Sequence, residues 1–120
     1  MRSIIIEPGK APYVKDVTGY HEIKDVIGGY LEAVYFAYGV VAYLNEEAKV
    51  NGEPIIRNDF ATHLCNTVGS RLHPSDYIAG TMILFGELDD NGEFDGDEHD
   101  LDQEVIDHIM EAWKRYDNNN

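Results

Sequence analysis

The nine residues IAGTMILFG (Ile78–Gly86) constrain the fold more than any other stretch of the chain. Nearly every position is apolar, so neither face of the segment tolerates water. A strand of this kind belongs at the centre of a sheet, covered on both faces. It predicts a strand across Tyr77 to Leu88 and obliges the rest of the chain to supply its neighbours and its covers.

The neighbours are legible on either side. Ser3 to Ile6 is rich in β-formers, Pro8-Gly9-Lys10 marks a turn, and Tyr13 to Val17 alternates like a returning strand. Tyr30 to Tyr35 and Gly39 to Leu44 read as a second antiparallel pair. Tyr20, Ile23 and Ile27 recur at helical spacing before the stop signal Gly28-Gly29. Asn45 to Lys49 and Asn51-Gly52 supply turns, and Glu53-Pro54 opens an extended piece running to Arg57. Asp59 to Leu64 reads as one helical turn, Gly69 to Ser75 as a loop, and Asp89 to His99 as an acidic loop. A last amphipathic helix begins at Asp100, capped with Gln103, and carries Leu101, Val105, Ile109, Ala112, Trp113 and Tyr116 on one stripe. The expected fold is α+β. It is one domain over residues 1–116, an antiparallel sheet with two helices packed on one side, one of them C-terminal, and a frayed tail at 117–120.

Charge narrows the function. A formal net charge of −14 argues against broad nucleic-acid or anionic-membrane binding, both of which need basic surface. No window is long and apolar enough to span a membrane. The opening MRSIIIEPGK is too short in apolar residues for a signal peptide, and the single Cys65 fits a reducing cytoplasm. The carboxylates crowd between Asp89 and Asp102, where there is no Lys or Arg.

Catalytic patterns are weak. EPGKAP lacks the Gly-x4-Gly-Lys spacing of a phosphate loop. The acidic run from Asn91 departs from a calcium loop at its first, eighth and twelfth positions, so a solvated acidic patch is the better reading. His63 and Cys65 are two apart, facing the same way if extended, yet nothing orients them as a nucleophile pair. The five histidines have no zinc spacing. The expectation is a protein that is not an enzyme, with no metal and no cofactor.

Binding patterns are stronger. Arg57, beside Asn58, follows a turn in an acidic chain, and an arginine fork suits a phosphate. Asn58 or Thr81 would read a base edge, Tyr13, Tyr30 and Tyr77 would stack on bases, and Lys10 or Arg71 would add charge. The bland alternative is that Arg57 pairs with Glu46, Glu47 or Glu53, and that the tyrosines cover sheet faces.

Four stretches, IIIEPGKAPYV, VIGGYLEAVY, NEEAKVNGEPIIRN and YIAGTMILFG, resemble a family of small uncharacterised proteins from phages and mobile genetic elements. In that family the Arg57-Asn58 order is reversed. The resemblance implies an anti-defence role in the cytoplasm of a bacterial host. A homo-oligomer, dimer or tetramer, would sequester a cyclic dinucleotide or cyclic ADP-ribose immune signal without cleaving it. Two alternatives stand beside it. One is an acidic DNA mimic that inhibits a restriction or CRISPR protein. The other is a small hydrolase of nucleotide signals, which would need a metal or a general base near Arg57.

Overall fold

A computed structural model describes residues 1–36, 39–49, 54–68, 72, 74–89 and 91–119, without the side chains of residues 94–96. The elements run β1 (Arg2–Ile6), β2 (Tyr13–Asp16), α1 (Gly19–Ile27), β3 (Leu31–Phe36), β4 (Val40–Asn45), α2 (Asp59–Val68), β5 (Met82–Leu88), β6 (Phe94–His99) and α3 (Gln103–Asn118). All six strands join one antiparallel sheet in the order β2-β1-β5-β4-β3, with β6 also pairing to β5. The architecture is α+β, as the apolar patterning requires.

The strand β5 lies between β4 on one edge and β1, then β6, on the other. Ile4 faces Leu84 and Ile6 faces Met82 across the β1 edge, and Gly86 faces His99 across the β6 edge. Side chains alternate about the sheet. Ile4, Ile6, Val40, Ala42, Met82 and Leu84 form one core with α2 and α3, and Ile5, Val41, Ile83 and Phe85 form a second with α1. Met82 to Phe85 are wholly buried. At about 1.5–3 kcal/mol for each large apolar side chain, this strand is the principal source of burial energy.

Several boundaries differ from the sequence expectation. Among the described residues there are three helices, and α1 takes the face opposite α2 and α3, because a strand apolar on both faces needs a cover on each. Helix α2 has three turns rather than one, since Phe60, Ala61, Leu64 and Cys65 all reach the core. The acidic segment is not loop throughout. Residues 94–99 form β6, because the β1 partner of β5 ends at Leu84 and the open edge beyond it must be paired. Helix α3 begins at Gln103 with Asp102 as its N-cap, and runs through Asn118, past the expected stop at Tyr116. The Asp100 carboxylate accepts from the Arg2 backbone N–H at 2.6 Å instead of capping the helix. Asn51-Gly52, Arg71 and most of the segment from Gly69 to His73 lie outside the described residues.

Two glycines close the chain where other residues would not fit. Gly28 ends α1 in the left-handed region, with φ of 85°. At Gly86 a Cβ would lie 2.3 Å from the Asp100 carbonyl oxygen. The bare backbone there lets the Asp100-Leu101 segment cross toward β1. Leu101 is then held by its N–H to the Arg2 carbonyl at 2.9 Å, while the Arg2 guanidinium donates to the Leu101 carbonyl.

Candidate functional site

The site begins with how the chain enters α2. Residues Ile56 to Asn58 lie along Ile78 to Gly80. The Asn58 N–H donates to the Ile78 carbonyl at 2.9 Å, and the Gly80 N–H donates to Ile56 at 2.8 Å. Arg57 and Ala79 form the bridge between them. The positive φ of Gly80, 76°, lets the chain turn from that bridge into β5.

This pairing buries Asn58 and exposes Arg57. Asn58 is 1% exposed. Its amide donates to the carbonyls of Ile6 and Gly80, both at 2.8 Å, and its Oδ1 accepts the Ala61 N–H at 3.2 Å. Asn58 is therefore the side-chain N-cap of α2 and a tie between helix, β1 and β5. Its assignment as a reader of base edges is corrected: both of its donors are committed to buried carbonyls.

Arg57 points outward. Its guanidinium carbon lies 4.0 Å above the centroid of the Tyr77 ring, and the Lys49 ammonium lies 4.2 Å from the same centroid. The face of an electron-rich ring attracts each cation. Carboxylates flank both: Arg57 Nε is 3.9 Å from Asp59, and Lys49 Nζ pairs with Asp76. The Arg57–Asp59 side chains are 61% and 75% exposed, so that pair contributes no more than about 1 kcal/mol and exchanges readily. Ile55 and Ile56 add exposed apolar surface beside it in the chain. The result is a small platform with two cations, one aromatic ring and an apolar flank.

The remaining expected site residues do not converge on it. Tyr13 is on the edge strand β2, and Lys10 sits 3.9 Å from Glu7. Burial and then Glu7 push the Tyr13 phenol above its ordinary pKa. Tyr30 precedes β3 at the opposite edge, with Lys24 4.9 Å over its ring. Four strand spacings of about 4.8 Å separate β2 from β3, so Tyr13 and Tyr30 stand roughly 19 Å apart across the sheet. They cannot sandwich one ligand within one chain. Thr81 is half-buried and immediately precedes β5. Arg71 lies outside the described residues. Lys49 was not singled out by its sequence context, because its approach to Tyr77 joins residues 28 positions apart and leaves no local pattern.

His63 and Cys65, two apart in sequence, are also separated by the structure. Both lie on α2, where two positions turn the side chain by about 200°. His63 is exposed beside Tyr116, whereas Cys65 is fully buried and its thiol is pushed up to about 11 by burial. Such a thiol is a core side chain and not a nucleophile. A polar cleft of about 450 Å³ opens where β5 and β6 meet the start of α3. Two of its carboxylates are engaged: Asp89 accepts the N–H groups of Asn91 and Glu93, and Asp100 accepts that of Arg2. Among the described residues no three His, Cys, Asp or Glu side chains are placed to hold a metal ion, and no helix is long and apolar enough to cross a membrane.

No curated protein and no solved structure matches this chain. A family model does: residues 1–114 match DUF3846, a domain of unknown function, and the chain belongs to that family.

Proposed function

Starting from that family membership, we propose that the protein is a non-catalytic binder of an anionic nucleotide signal, acting by sequestration as a phage or mobile-element countermeasure to host immunity. The observation that carries this reading is the stacking of Arg57 on Tyr77 with Lys49 beside it, on the exposed surface of a chain whose net charge is −14. A guanidinium stacked by one face keeps its N–H edge in plane for a phosphate, and its other face for a base. Lys49 adds a second charge. The weak pairs to Asp59 and Asp76 hold both cations in place until an anion displaces them.

A binder that works by sequestration requires affinity and abundance, not turnover. A cyclic dinucleotide or cyclic ADP-ribose type signal carries two phosphate charges, and one platform has the fork for one of them. Two copies in a dimer or tetramer would supply two platforms, which is the assembly this reading requires. Melting the protein with a panel of cyclic dinucleotides, cyclic trinucleotides and cyclic ADP-ribose isomers tests it. The reading predicts a large upward shift with one class, intact ligand recovered by mass analysis, and loss of the shift in Arg57→Ala. A cleaved ligand would move the protein to the hydrolases.

A second reading rests on a different observation. From Leu72 to Trp113 the chain has no Lys or Arg and holds 13 of its 23 carboxylate side chains. All but Asp76, which pairs with Lys49, lie on β5, β6, α3 and the connections between them, the acidic end of the chain. In this reading that end occupies the basic groove of a nucleic-acid-binding host protein. Competition between this protein and DNA for a purified restriction or CRISPR complex, with no ligand-induced melting shift, would favour it.

A further inference from the structure

A groove of about 570 Å³ runs between α2 and α3, lined by His63 and Thr67 from one helix and His108, Ala112, Arg115 and Tyr116 from the other. The two helices face each other along it. His63 and Thr67 are one turn apart on α2, while His108, Ala112 and Arg115 follow one stripe of α3. Ala112 and Tyr116 are half-buried and form a floor, and His63, His108 and Arg115 are exposed and form the rim. Tyr116 is fixed by ring contacts at 5.2 Å to both Phe60 and His63, and Phe60 meets Trp113 edge-on at 5.1 Å. The floor is therefore rigid, aromatic and backed by the core.

The composition of this groove departs from that of the chain. Among the described residues no carboxylate lines it, although the protein carries 23 of them. Two imidazoles and a guanidinium converge instead. Arg115 meets Glu111 only through Nε at 3.8 Å, between side chains 77% and 55% exposed, a contact that an incoming anion displaces at little cost. The volume falls within the range of small-ligand pockets. We infer that the α2–α3 groove binds a small anion carrying a flat ring, a mononucleotide. Its ring lies against Tyr116 and Ala112, and its charge faces Arg115 between His63 and His108.

This site is separate from the Arg57–Tyr77 platform and does not rest on it. The test is a titration of the isotope-labelled protein with adenosine 5′-monophosphate and with adenosine, followed by backbone amide NMR to about 1 mM probe. The inference predicts that the monophosphate moves the amides of His63, Thr67, His108, Ala112 and Arg115, with uncharged adenosine at least about tenfold weaker. Arg115→Gln should weaken the groove response about tenfold or more with its spectrum otherwise native. No movement of the groove amides with the monophosphate, an equal response to adenosine, or full binding by Arg115→Gln would each overturn it.

Discussion

At the residue scale, Asn58 and Arg57 are adjacent positions in opposite environments, one buried and one exposed. Asn58 satisfies two carbonyls and one helix N–H in a site almost without solvent. Asn58→Ala leaves all three unpaired, and a loss of about 2–4 kcal/mol follows from the missing cap together with the buried polar groups. Urea unfolding measures it, and a loss below about 0.5 kcal/mol would contradict the role. Cys65 gives a second prediction. Burial pushes its folded thiol up to about 11, above the ordinary thiol range. An acid whose pKa is raised by folding is neutral in both states below the unfolded value. Above that value the unfolded state releases its proton first. Stability should therefore fall as pH rises from about 9 to 11, and Cys65→Ala should flatten that part of the profile. The same burial predicts that a thiol reagent modifies native protein at neutral pH only as fast as it opens.

At the element scale, the tightest geometric demand is where β5 acquires its third partner. Gly86→Ala would drive a methyl group into the Asp100 carbonyl, which is backbone and has little room to move. About 2 kcal/mol of destabilisation is expected, with loosening of β6 and of the start of α3 before the rest of the sheet. Amide exchange that stays as slow in β6 as in β4 would refute this. Glycine at this place was legible as the end of an apolar run, but not as a crossing point, because the crossing residue is 14 positions away. The elements divide in the same way. Strand β5, helix α1 and the apolar stripe of α3 follow from periodicity that each segment carries within itself. Strand β6 does not: its residues, FDGDEH, have little strand propensity and are extended because an open edge of β5 needs a partner. Helix α2 was legible in principle. Asn58 followed by Asp59 and an apolar run is an N-cap signature, hidden by reading Asn58 as a ligand contact.

At the scale of the whole molecule, contacts join residues distant in the chain: Lys49 and Arg57 both meet Tyr77, and Arg115 lines the groove between α3 and α2. Residues clustered in this way lie far apart in the chain, which is why Arg57 and Tyr77 were both named from the sequence while their contact, and the scatter of Tyr13 and Tyr30, were not visible there. A net charge of −14 also repels itself in the compact state. Adding salt shortens the Debye length to about 10 Å at 0.1 M, so the melting temperature should rise from low to moderate ionic strength. A melting temperature that falls with salt would mean that attractive ion pairs outweigh this repulsion.

In the proposed function, this acidic domain captures a nucleotide anion on the cation–aromatic platform at Arg57. The most direct measurement is calorimetric titration of the wild-type protein and of Arg57→Ala with whichever cyclic nucleotide raises the melting temperature. Saturable binding by the wild type is expected, with at least about a tenfold loss in Arg57→Ala at an unchanged melting temperature, and ligand of unaltered mass afterwards. Equal affinity in the two proteins, or no heat with any member of the panel, would contradict it.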